Sequence, residues 1–175
     1  EGRKRPLKLN HQLPIMGWIE PRFQFSSDSK KILYVATDRV VNYDLKVADV
    51  SHYVVDIAAP GKSRLVAKEY GASPTRSAKF SPSGQKIMYE TSVRSPIQLA
   101  TNFIFQRTLS KLHIIDSSTG APKASYLTSL DGGYDTSAEF LGEDRVLITG
   151  PMAMDPRKTI EMGYGAVLFD VAQRK

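Results

Sequence analysis

Apolar residues in this chain fall in short runs of four to six, and the runs are separated by polar turns. Ile32-Leu-Tyr-Val-Ala36 is apolar without alternation, as a strand covered on both faces would be. The same arrangement returns twice. Arg22-Phe-Gln-Phe-Ser-Ser-Asp-Ser-Lys-Lys-Ile-Leu-Tyr-Val-Ala36 aligns with Ser77-Ala-Lys-Phe-Ser-Pro-Ser-Gly-Gln-Lys-Ile-Met-Tyr-Glu-Thr91, sharing Phe-Ser, a polar turn ending in Lys, then Ile, an apolar residue and Tyr. Ser137-Ala-Glu-Phe-Leu-Gly-Glu-Asp-Arg-Val-Leu-Ile-Thr149 keeps the Phe and the apolar strand, but loses the Ser-Pro turn and one residue. The Phe markers stand 55 residues apart (Phe25 to Phe80) and then 60 (Phe80 to Phe140).

A second half follows in each copy. Tyr53-Val-Val-Asp-Ile57, Leu112-His-Ile-Ile-Asp116 and Ala166-Val-Leu-Phe-Asp170 are apolar strands that reach an Asp before a turn. The repeated Asp suits the capping of backbone N–H groups in that turn. A further strand follows in the first two copies, Arg64-Leu-Val-Ala67 and Ala124-Ser-Tyr-Leu127. β-branched and aromatic residues dominate these runs, so the pattern predicts four strands per repeat. A four-stranded sheet of this kind has two apolar faces, and stacking sheets radially covers both.

The repeat resembles the TolB-type WD-like β-propeller repeat. In that family a strand ending in Phe/Trp-Ser-Pro-Asp-Gly turns into a Lys/Arg-Ile-apolar-Phe/Tyr strand, and an apolar strand ending in Asp follows. The resemblance covers residues 21–175 in three copies, about 21–74, 75–134 and 135–175. The turns read Ser27-Asp28-Ser29, Pro82-Ser83-Gly84 and Gly142-Glu143-Asp144, so none carries the full Pro-Asp-Gly. The expected fold is all-β: a partial propeller of about three four-stranded antiparallel blades. Propellers close with roughly four to eight blades. The chain is therefore expected to be a fragment of a longer protein, or to be completed by a partner or a second copy. Leu13-Pro-Ile-Met-Gly-Trp-Ile19 is a candidate closing strand, with Trp18 alternatively plugging an end of the ring.

The connection between the second and third strands is enlarged in every copy, at residues 37–52, 92–111 and 150–165. With the links at 69–75 and 130–135, these segments are expected on one face of a propeller. They are read either as binding loops or as hairpin extensions that shield sheet edges. Their Arg, Met and aromatic content suits a protein interface. The candidate partner-binding residues are Arg39, Tyr43, Arg94, Phe103, Phe105, Arg107, Met152, Met154, Arg157 and Tyr164. Asp155-Pro156 followed by Gly163 carries helix cap signals, so a short helix is expected there. Asn102-Phe-Ile-Phe-Gln106 suggests an added strand instead.

Charge and chemistry narrow the reading. The 175 residues carry a net charge of +6 and no cysteine, which removes disulfides, thiolate nucleophiles, Cys-ligated zinc and iron–sulfur clusters. Residues 1–20 form a basic arm, and with Arg22 the first 22 residues hold half of that excess charge. The arm is either a solvated terminus or a tether to an anionic surface. It lacks the apolar middle of a signal peptide, which is expected to have been removed or never present. No apolar run reaches the ~20 residues needed to cross a bilayer. His11, His52 and His113 have no metal-ligand spacing, and His113 is expected as a strand histidine facing a neighbouring blade. Gly-x-Ser-x-Gly and phosphate-loop motifs are missing, and no catalytic, cofactor or metal residues are expected.

The leading expectation is a non-catalytic scaffold for protein–protein interaction. The resemblance places it at the periplasm or cell envelope, with other protein subunits as partners. The rival is the propeller lid of a prolyl-oligopeptidase-type serine peptidase whose catalytic domain lies outside this chain. A third class, a sugar or lipid-headgroup module, would need an aromatic platform, and only Trp18 and dispersed tyrosines are available.

Overall fold

The computed structural model describes residues 23–42, 47–72, 78–98, 104–131, 137–155 and 158–173. Every element is a strand. β1 (Phe23–Phe25), β2 (Lys31–Asn42), β3 (Val47–Asp56) and β4 (Ser63–Ala72) form the first antiparallel blade, in that spatial order. β5 (Lys79–Phe80), β6 (Lys86–Gln98), β7 (Ile104–Asp116) and β8 (Pro122–Asp131) form the second. β9 (Ser137–Phe140), β10 (Arg145–Asp155) and β11 (Lys158–Asp170) form the third. Blades two and three join into a seven-stranded sheet where Met152 of β10 pairs with Leu130 of β8. The chain is an all-β, partial β-propeller, as the repeat pattern implies.

The shared Phe-Ser step sets the first hairpin of each blade. Ser26 and Ser81 both donate their amide to the carbonyl of the Lys five residues on, and their hydroxyls accept that Lys amide at 2.9 and 3.1 Å. The tight return needs a left-handed residue, which Gly84 supplies at φ 72° and Ser29 at φ 56°. In the third copy Leu141 replaces the serine and bonds Arg145, four residues on. That shorter turn accounts for the residue missing from the third repeat.

Packing then uses both faces of the middle blade. On one side Phe80, Ile87, Tyr89 and Ile115 meet Leu33, Val54 and Val66 of blade one. On the other, Met88, Leu112 and Ile114 meet Ala138, Val146, Ile148 and Phe169 of blade three. Ile32, Tyr34, Ala36 and Val55 are buried on the opposite face of blade one. This is why Ile32–Ala36 is apolar without alternation: successive side chains are buried on opposite faces of the blade.

Polar ties run beside the apolar seams. Gln24 Oε1 accepts the Phe80 amide at 2.6 Å, and Lys86 Nζ meets Asp144 at 2.6 Å. Lys79 pairs with Glu139 and donates to the Ala138 carbonyl. At the outer rim the β7–β8 turn closes on β4. Gly120 has φ 77°, and a Cβ there would lie 2.5 Å from the Val66 carbonyl oxygen.

Three expectations are refined or changed. Of the segments read as binding loops or hairpin extensions, the described parts are hairpin strands: 37–42 pairs with 47–50, 92–98 with 104–110 and 150–155 with 158–165. The links at 69–75 and 130–135 are partly strand too, since β4 runs to Ala72 and β8 to Asp131. The expected helix after Asp155 is β11, in which Ala153 pairs with Met162 and Asp155 with Lys158. Hairpin pairing outweighs the local cap signals there. Strand continues through Ile104 to Gln106, as the alternation suggested, whereas Leu13–Ile19 and Trp18 lie outside the described residues.

Two stability predictions follow from the seams. Phe80→Ala, Ile87→Ala and Ile114→Ala each cost about 2–5 kcal/mol in urea unfolding. Leu168→Ala, at the station equivalent to Ile114 but 55% exposed, costs only about 0.5 kcal/mol. Equal losses at Ile114 and Leu168 would refute the face assignment. Gly120→Ala costs at least about 1–2 kcal/mol through the left-handed backbone alone, and more where the turn must retreat from Val66. A thermal midpoint unchanged by that substitution would rule out the close approach.

Candidate functional site

Two features stand out above the blade framework: three long hairpin arms and a ladder of rings across the first seam. The arms are β2–β3, β6–β7 and β10–β11, with strands of ten to thirteen residues. Typical strands have five or six. Each arm extends its blade at the same topological position.

The first arm is bulged between Thr37 and Arg39 and again between Val40 and Asn42. Asp38, the extra residue of the first bulge, accepts the Ser51 hydroxyl at 2.6 Å and pairs with Lys68 Nζ at 3.0 Å. Arg39 is exposed, but its guanidinium is held by Asp49 at 3.0 Å, and the Asp49 side chain is only 9% exposed. In the second arm Arg94 stands opposite Thr108, Arg107 opposite Ser95 and Phe105 opposite Ile97. In the third, Met152 stands opposite Gly163, Met154 lies at the register shift between Ala153 and Asp155, and Tyr164 stands opposite Pro151 with 76% exposure. Tyr43, Phe103 and Arg157 lie outside the described residues. The candidates are thus spread along three arms, and the paired positions fall within an arm.

Sequence reasoning missed the ring ladder. His52 of β3 lies 4.7 Å, centroid to centroid, from Tyr89 of β6, which stacks on His113 of β7 at 4.7 Å and 8°. Tyr89 and His113 are direct cross-strand neighbours. The equivalent pair in blade one, Tyr34 and Tyr53, is stacked at 5.3 Å. In blade three the station holds Ile148 and Val167. The available signal was an aromatic residue three positions before the strand-end Asp, opposite the marker Tyr. His52 joins from blade one because it stands two residues before Val54 on the β3 face that meets blade two.

The ladder has polar partners at both ends. His52 is fully buried; its Nε2 lies 3.3 Å from Glu69 Oε1, and its Nδ1 has no hydrogen-bond partner among the described residues. His113 Nε2 lies 3.1 Å from Thr91 Oγ1. Burial first, then the charge of Lys111 and the nearby His52, brings the His113 imidazole down from 6.5 to about 4. Burial, reinforced by the Glu69 charge, pushes the Tyr89 phenol up to about 12. Both rings are therefore neutral at pH 7. Beside them opens a cleft of about 380 Å³, lined by Tyr89, His113, Ile115, Pro122, Lys123 and Ser125.

The strand-end aspartates have a structural use. Asp116 Oδ1 accepts the amides and hydroxyls of Ser118 and Thr119, which hold its carboxyl far below the ordinary range. Asp170 Oδ1 accepts the Gln173 amide. Among the described residues no three His, Asp or Glu side chains gather as a metal site.

Solved structures with a similar fold include propeller regions of peptidases. The chain aligns with the β-propeller domain of the Trilobed protease from Pyrococcus furiosus at 15% identity and TM-score 0.53, covering 86% of this chain and 39% of that one. Acylaminoacyl peptidase from Pyrococcus horikoshii aligns at 14% identity and TM-score 0.57, covering 87% and 23%. The tricorn protease aligns at 17% identity and TM-score 0.53, covering 87% and 17%. The fold is a β-propeller arc. At these identities the likeness concerns fold alone, and this chain spans well under half of each of those chains. No family model and no curated protein matches the sequence.

The ladder predicts a pH dependence. With a folded-state value near 4 against an ordinary 6.5, the unfolded chain binds a proton that the folded His113 refuses. Its contribution is complete above about pH 6.5 and is lost as pH falls toward 4. Urea midpoints between pH 7 and pH 4.5 should fall more steeply in the wild type than in His113→Phe, which keeps a ring but cannot titrate. Parallel profiles would count against a neutral ladder.

Proposed function

We propose that this chain is a non-catalytic β-propeller segment of the TolB-type, WD-like repeat class that acts as a protein-interaction scaffold within a larger assembly. The observation that carries the reading is the set of three hairpin arms, each prolonged at one position of its blade. Blade packing consumes the Ile32–Ala36, Ile87–Tyr89 and Val146–Ile148 stretches. The strands continue past these stretches, to the Gln98–Ile104 pair in the second arm and the Asp155–Lys158 pair in the third. Arg94, Phe105, Arg107, Met152 and Met154 lie on these extensions, and they are the residue types enriched at interfaces. The repeat resemblance supports a periplasmic or cell-envelope location, with other subunits as partners and an anionic surface as a further contact of the basic arm.

The likeness to the Trilobed protease, acylaminoacyl peptidase and tricorn propellers favours a second reading. In it the arc belongs to the propeller lid of a prolyl-oligopeptidase-type serine peptidase, whose hydrolase domain is on sequence outside these 175 residues. A Gly-x-Ser-x-Gly elbow with Asp and His in the same polypeptide, and hydrolysis of short peptides by that polypeptide, would select it.

The scaffold reading predicts that Arg94→Ala, Arg107→Ala and Arg157→Ala combined weaken capture of the co-purifying partner at least about tenfold, since interface arginines often contribute more than ~1 kcal/mol each. Far-ultraviolet circular dichroism should not change. Unaltered capture would remove the arms as the docking surface.

A further inference from the structure

The ring ladder stops one strand short. Tyr89 on β6 and His113 on β7 stack at 4.7 Å, which matches the ~4.8 Å spacing of neighbouring strands. The next station on that face belongs to β8, where the residue opposite His113 is Ser125. Serine is too small to continue the stack. Over it lies the 380 Å³ cleft, within the size range of small-molecule sites. The His113 ring face turned away from Tyr89 therefore borders open volume, with Ile115 and Pro122 as apolar walls.

Besides the Tyr89 and His113 rings, the polar side chains lining the cleft are Lys123 and Ser125. The Lys123 side chain is about half exposed, and its Nζ lies 3.5 Å from Asp116 Oδ2. That is long for a charge-assisted bond, whose usual length is about 2.7–2.9 Å. The other carboxylate oxygen of Asp116 already serves the Ser118 and Thr119 donors. Lys111, on the same strand as His113, adds a second positive charge. Glu69 lies beyond Tyr89, at the His52 end of the ladder.

We infer that the cleft is a binding site for a planar aromatic ring carrying a carboxylate, with the ring stacked on His113 over Ser125 and the carboxylate paired with Lys123. Neutral imidazole stacks without the desolvation cost of a cation, and offset stacking adds to the gain from area burial. A ligand of about a dozen heavy atoms then binds with Kd on the order of 1 mM. Two sources share this chemistry: a free aryl acid and the C-terminal aromatic residue of a peptide. The site is independent of the hairpin arms.

The test uses the 175-residue chain and follows the His113 ring resonances by NMR. Probes are indole-3-acetate and a dipeptide ending in phenylalanine with a free carboxyl end, each beside its primary amide. Saturable upfield shifts at millimolar acid, with the amides at least about threefold weaker, are expected. Whichever acid binds more tightly identifies the source. Lys123→Ala should erase the acid–amide difference. Ser125→Tyr, which puts a ring at the vacant station, should abolish binding while holding or raising the thermal midpoint. Absence of His113 shifts at about 10 mM probe, or undiminished binding in a folded Ser125→Tyr protein, would overturn the site. Equal affinity of acids and amides would overturn the carboxylate contact.

Discussion

A sheet that is apolar on both faces cannot stand alone in water, and the rest of this structure depends on that constraint. Blade two satisfies it fully: Ile87, Tyr89 and Ile115 are covered by blade one, and Met88, Leu112 and Ile114 by blade three. The stations are fixed by register. Leu33 pairs with Val54, Met88 with Ile114 and Leu147 with Leu168, always on the face toward the next blade. The first two pairs are buried, whereas Leu168 is 55% exposed with no described sheet against it. The third pair keeps the chemistry of a seam without its covering layer.

Local chemistry made most of this arrangement legible. The Ser of the Phe-Ser step, the left-handed Gly84 and the strand-end Asp116 and Asp170 act within a few residues of themselves, so their spacing shows in the sequence. Strand identity was legible too, because β-branched and aromatic runs suit a pleated surface. The arms stayed open between binding loops and hairpin extensions, and a helix was expected after Asp155, because Pro156 and Gly163 are cap signals locally. Pairing across a hairpin overrides such signals, and pairing is not a local property. The Tyr89–His113 pair sat at a readable spacing, yet the approach of His52 to Tyr89 depends on how two blades pack, which no spacing within one repeat marks.

The first seam differs from the second in kind. Between blades two and three the buried contacts are aliphatic and aromatic, with ion pairs such as Lys86–Asp144 kept at the rim. Between blades one and two a histidine with no exposed surface enters the core, tied to Glu69. Burying polar groups is costly unless they are neutral or paired. The ladder meets this cost by keeping Tyr89 and His113 uncharged at neutral pH, so acidification toward pH 4 acts on the first seam through His113.

Arm geometry bears on function through strand count. The first arm is supported along its length, since β4 follows β3 as far as the Ala48–Ala72 pair. The third leans on blade two at Met152–Leu130. In the second arm β8 accompanies β7 only to the Leu109–Asp131 pair. Beyond it β6 and β7 continue from Arg94–Thr108 to Gln98–Ile104 as a ladder of two strands. Two-stranded ribbons are marginal by themselves in water. Among the described residues this part of the second arm has two strands only, and a partner strand or apolar surface laid along it is the docking that the proposed scaffold role implies.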